Sequence, residues 1–196
     1  TRLRAFVDNE VSALACTGDV VVEAAATPSE YVLTMIDPAS GADRRLAVAW
    51  DSSLQLQVLK RRARPCGYWL AAGETEAVSK LRLLGVIVQR IDETGVVRGE
   101  TWRELSREIV ARRDVRGSIA DAEGTLRVQV EAVPALLDVT PGGWYVPLDQ
   151  PLAHLAVAAL EPDTQNSYLA NRVIAGGVTA SARVLARPEF RLVPAP

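Results

Sequence analysis

The sequence predicts an α+β fold: mixed and β-rich, with antiparallel strands in the first third, a βαβ-like unit in the middle and a late buried helix. Three observations carry this reading. Four strand-like runs follow one another with short connections between residues 20 and 65. A helical pattern at 73–85 lies between two short runs rich in aromatic and β-branched residues. The apolar stretch Leu152–Leu160 is far shorter than a membrane span and has the character of a core helix.

In chain order, Leu3, Val7, Val11 and Leu14 fall at i, i+4, i+8 and i+11, which predicts an amphipathic helix ending near Gly18. Runs 20–25, 30–38, 44–52 and 54–65 read as strands. "DPASGAD" between the second and third reads as a hairpin turn. Leu54, Leu56 and Val58 alternate with Gln55 and Gln57, as in a strand with one covered face. "CGYWL" (66–70) is a short strand. The helix at 73–85 carries Ala77, Leu81 and Leu84 on one face and stops at Gly85; "VIVQRI" (86–91) is a strand able to lie parallel to 66–70. Residues 100–110 fit helix and strand alike, and we read them as strand. Residues 111–124 read as a charged loop, and 125–139 as a strand bent at Pro134. "GGWYVPL" is a further strand. Asp149 stands where it can cap the last helix, with Pro151 in its first turn and Pro162 at its end.

At 196 residues the chain has room for one large domain or two small ones, and we expect segments 1–65 and 66–196. The net charge of −2 gives no electrostatic reason to expect a nucleic-acid partner, and no run is long enough to span a membrane. "KRRARP" (60–65) and "ARRDVR" (111–116) read as solvated faces. The chain begins with threonine, which suggests a processed protein or a piece of a longer one. Cys16 and Cys66 are either one disulfide or two buried free thiols; the thiols are the plainer reading.

Catalytic patterns are scarce. His154 is the only histidine, with no carboxylate at a metal-binding spacing, so it reads as a partly buried imidazole on an apolar helix. There is no Gly-x-Ser-x-Gly elbow and no phosphate loop; "VIAGGVTAS" (173–181) reads as a turn. Trp50, Trp69, Trp102 and Trp144 read as core and edge packing. Asp149, Glu161 and Asp163 flank the last helix, where capping and a turn explain them better than acid/base chemistry. We expect no catalytic residue, metal ligand or cofactor in this chain.

"GYWLAAGETEAVSKLRLLGVIVQRI" (67–91) and "GGWYVPLDQPLAHLAVAALEPDTQNSYLANRVI" (142–174) resemble the region that follows the catalytic domain in bacterial zinc carboxypeptidases of the carboxypeptidase A-like family. The resemblance covers roughly 66–174 and is weaker over the first 65 residues. It implies a parent that removes C-terminal residues with a zinc ion held by a His-x-x-Glu pair and a later histidine. None of those residues has a counterpart here, so the resemblance implies a non-catalytic accessory region, with zinc belonging to the parent alone. It further implies the peptidase domain of the same polypeptide as partner, contact with peptide substrate, and a secreted or periplasmic location. The first helix would then lead out of the catalytic unit. On this reading the candidate contact surface is Trp144, Tyr145, Asp149, Gln150, Gln165, Asn166 and Tyr168, short polar groups beside aromatics. A second reading is an independent peptide- or glycan-binding module.

Overall fold

The alternating and helical patterns become, in a computed structural model that describes residues 2–50, 52–110, 113–114, 117–118, 124–164 and 166–196, a β-rich α+β fold. The elements are α1 (Arg2–Leu14), β1 (Asp19–Thr27), β2 (Glu30–Ile36), β3 (Asp43–Ala49), β4 (Ser52–Ala63), β5 (Gly67–Leu70), α2 (Thr75–Leu83), β6 (Gln89–Ile91) and β7 (Gly95–Val110). They continue with β8 (Arg113–Asp114), β9 (Gly117–Ser118), β10 (Thr125–Val139), β11 (Trp144–Pro147), α3 (Ala153–Leu160), β12 (Ser181–Val184) and β13 (Leu192–Pro194). Against the expected segments 1–65 and 66–196, the chain divides into Thr1–Val22 with Arg62–Pro196, and Glu23–Arg61. The loop expected at 111–124 and the basic run 111–116 lie largely outside the described residues.

The larger unit is built on a seven-stranded sheet in the order β10-β7-β12-β5-β11-β6-β13, antiparallel at every pairing. Because β11 runs antiparallel to both β5 and β6, those two strands are parallel to each other with β11 between them. The β5–α2–β6 segment is therefore a split βαβ unit. Gly85, at φ +88°, ends α2 in the left-handed conformation that glycine adopts without Cβ strain. Residues 100–110 are indeed strand: β7 pairs with β10 along its whole length, with an irregularity at Gln129/Val130. Pro134 lies in β10, an edge strand, which is where a sheet tolerates proline.

Both faces of the central strands are covered. Tyr68, Leu70, Trp144 and Val146 share a core with Ala77, Val78 and Leu81 of α2 and with Ala156, Val157 and Leu160 of α3. The alternate residues Trp69 and Tyr145 join Ile91, Leu137, Val184 and Phe190 in a second core. This two-sided burial explains why "GYWL" and "WYVP" lack a polar alternation. A disulfide joins Cys16 to Cys66, so the thiol expectation is corrected.

The smaller unit, Glu23–Arg61, contains the β2–β3 hairpin expected from the "DPASGAD" turn. Asp37 shapes that turn: its Oδ1 accepts the Ala39 amide at 2.8 Å, while its backbone closes on Ala42 and Gly41. None of the described side chains of this unit is buried. Leu54, Leu56 and Val58, expected to have a covered face, are exposed, and so is Trp50, which lies 5.8 Å from the Tyr31 ring. The helical stripe of α1 is likewise uncovered: Leu3, Phe6, Val7 and Leu14 are exposed, and no α1 residue is buried. In α1 and β4 the predicted apolar periodicity is present, but the side chains that carry it are exposed.

Candidate functional site

The stretch 141–168 is held by bonds to its own surroundings. Register places Trp144 opposite Leu70, Tyr145 opposite Trp69 and Val146 opposite Tyr68. The Tyr145 hydroxyl donates to the Cys66 carbonyl at 3.2 Å, and the Trp144 indole donates to the Ala72 carbonyl at 3.3 Å. Gln150 is buried and fully engaged. Its amide donates to the Pro147 carbonyl at 2.6 Å and the Ile87 carbonyl at 3.1 Å, while its Oε1 accepts the Ile87 amide at 2.7 Å. It thereby ties the segment between α2 and β6 to the turn before α3. Burial pushes the Tyr145 phenol up, and the charge of Asp149 adds to that shift against the opposing Arg187.

Of the seven candidate contact residues, Trp144, Tyr145 and Gln150 are buried, Tyr168 is half-buried, and Asp149 and Asn166 are exposed. Gln165 lies outside the described residues. Three of the seven thus face inward, where their polar groups meet backbone carbonyls and amides. Asp149 does not cap the last helix. α3 begins at Ala153 with Leu152 as its N-cap residue and no side-chain cap, because the chain makes another turn through Pro151 first. His154 is exposed rather than partly buried.

The most developed polar cluster was not anticipated. Cross-strand register aligns Glu100 of β7, Arg183 of β12 and Tyr68 of β5 in one row on one face of the sheet. Glu161, which follows α3 directly and is 0% exposed, closes the row. Its Oε1 accepts the Tyr68 hydroxyl at 2.7 Å and Arg183 Nε at 3.0 Å, and its Oε2 accepts Arg62 at 2.6 Å. Arg62 also forks onto Asp163 through two bonds of 2.7 and 2.8 Å, donates to the Val130 carbonyl at 3.1 Å, and stands 5.2 Å from the Trp102 ring centroid. Arg183 completes its fork with Glu100 and the Ala63 carbonyl.

Burial alone would lower the Arg62 pKa, but hydrogen bonds and charge from Asp163 and Glu161 outweigh it and hold the guanidinium above its ordinary value. Burial, with Glu161 beside it, drives the Tyr68 phenol well above its usual range, Arg183 partly opposing. "KRRARP" is therefore not simply a solvated face, and "EPDTQNS" is not simply a surface turn. The Glu161 carboxylate has hydrogen bonds on both oxygens, and Asp163 is forked by Arg62.

A second buried carboxylate, Glu74, accepts the amides of Ala175 at 3.0 Å and Gly176 at 2.8 Å, pinning the "AGG" turn. Among the described residues, no group of three or more His, Cys, Asp or Glu is placed to hold a metal ion, and no helix is long and apolar enough to cross a membrane. Comparison with family models, curated proteins and solved structures finds no match to this chain.

Proposed function

We propose that this chain is a non-catalytic accessory domain of a zinc carboxypeptidase-like protein, acting through contacts with a peptidase domain or its peptide substrate. One observation carries the reading. The segments that bear the resemblance spend their polar and aromatic groups on each other, whereas apolar side chains lie uncovered on α1 and on 23–61. Such a division suits a scaffold that presents surface to a partner. The exposed His154, flanked by Ala153 and Leu155, does not fit a zinc centre, so zinc in this proposal belongs to the parent's peptidase domain. The Cys16–Cys66 disulfide agrees with an oxidising location, secreted or periplasmic.

The test begins with the reading frame upstream of Thr1, expected to encode a domain with a His-x-x-Glu pair. That domain, expressed separately, should bind this chain, and Leu3→Glu with Phe6→Glu on the exposed face of α1 should weaken binding. An unrelated upstream region, or a peptidase domain that does not bind, contradicts the proposal.

A further inference from the structure

Among the described residues, most edge strands are interrupted by charge or proline. β10 carries Arg127, Glu131, Pro134 and Asp138, and the three-residue β13 ends on Pro194. β1 carries Asp19 and Glu23, β2 carries Glu30, and β3 carries Asp43, Arg44 and Arg45. β2 is uncharged over residues 31–36, and β4 has the longer such stretch: among the described residues it belongs to a two-stranded sheet with β1, and over residues 52–59 it has neither charge nor proline. Leu54 is 96% exposed and Leu56 57% exposed, with Val58 and Leu59 also open. A long, uncharged, apolar edge of this kind is a template for another strand.

We propose that β4 is the contact of a two-fold homodimer, pairing antiparallel with β4 of a second copy about a dyad at Leu56. The sequence is self-complementary in that register. Leu54 meets Val58 of the second copy, Leu56 meets its own counterpart, and Gln55 meets Gln57 on the opposite face. Apolar groups thus face apolar groups, amides face amides, and no like charges are opposed.

The basic end of the strand, Lys60–Arg61–Arg62, selects the direction. A parallel pairing would set the two basic ends side by side. The antiparallel pairing separates the two Lys60 residues by eight strand positions, roughly 27 Å, well beyond the Debye length of about 8 Å at physiological salt. A contact this short makes a reversible dimer.

Sedimentation velocity of the full chain over a wide concentration range tests this. The mass should rise from 21.1 kDa toward twice that value with concentration. Leu56→Lys sets two cations together at the dyad and should leave a monomer at every concentration, with an unchanged circular dichroism spectrum because the position is exposed. Leu56→Cys should cross-link between copies on mild oxidation, whereas Leu54→Cys should not, since those residues lie four strand positions apart. A wild-type chain that stays monomeric overturns the proposal. So does a dimer indifferent to Leu56→Lys, equal cross-linking at both positions, or a monomer whose β4 edge is instead occupied by the upstream domain.

Discussion

Glu161 is the side chain on which the buried polar row depends, and its removal has a cost that follows from its partners. Glu161→Ala deletes the acceptor of the Tyr68 hydroxyl, of Arg183 Nε and of one Arg62 nitrogen. Neither arginine is left without a carboxylate: Arg62 retains Asp163, and Arg183 retains Glu100. The ionic loss therefore falls near the lower end of the roughly 3–5 kcal/mol seen when one partner of a buried pair is removed. Stranding the Tyr68 hydroxyl adds about 1–3 kcal/mol. A total of about 4–6 kcal/mol is a large part of the ~5–15 kcal/mol stability of an ordinary domain.

Urea unfolding followed by circular dichroism reads this directly. Glu161→Gln, which keeps an acceptor for Tyr68, should fall between wild type and Glu161→Ala, and it serves if the alanine variant does not fold. Tyr68→Phe should cost less in the Glu161→Gln background than alone, because the hydroxyl's bond to a neutral amide is weaker than its bond to the carboxylate. A loss below about 1 kcal/mol for Glu161→Ala, the scale of a solvent-exposed pair, would refute the argument.

Other expectations follow from the same structure. Reducing Cys16–Cys66, which closes a loop with a sequence separation of 50, should lower stability by about 4 kcal/mol on the chain-entropy account, seen as a lower urea midpoint in dithiothreitol; an unchanged midpoint contradicts it. Tyr68 and Tyr145 both have raised pKa values in the folded state, so their contribution is complete below about pH 10 and is lost as pH climbs above that unfolded value. Spectrophotometric titration should show these two phenols ionising only as the protein unfolds, and early ionisation of all four tyrosines would disprove it. A methyl group at Gly99 would collide with the Arg183 carbonyl and the Leu137 side chain, so Gly99→Ala should destabilise by about 1–3 kcal/mol in thermal melts, whereas Gly73→Ala, which meets open space, should cost far less.

Local periodicity made much of this fold legible in advance. The β2–β3 hairpin followed from Asp37 and Gly41, the end of α2 from Gly85, and the parallel relation of β5 and β6 from the strand–helix–strand spacing. β11, inserted between those two strands, was not legible, because its partners lie about 75 residues away in β5 and about 55 away in β6, and nothing local names them. The same limit hid the Glu100–Arg183–Tyr68 row, which exists only once three distant strands are in register. A signal was nonetheless present: Arg183 interrupts "SARVL", an otherwise small and apolar run, and an arginine so placed needs a buried carboxylate. Burial on β4 was misjudged for another reason. Periodicity shows that one face is apolar, not whether the same chain covers it. The contact surface drawn around 144–168 failed to separate Trp144, Tyr145 and Gln150, which bond inward, from Asp149 and Asn166, which face solvent.

The central proposal is that this chain contributes shape and contacts, with the carboxylates of Glu161, Asp163 and Glu100 bonded by Arg62 and Arg183. Incubating the purified chain with zinc and peptides of varied C-terminal residue, and following amino-acid release by mass spectrometry, tests that most directly. The account predicts no release above buffer with or without the metal. Zinc-dependent release that disappears on substituting Glu161 or His154 would contradict it.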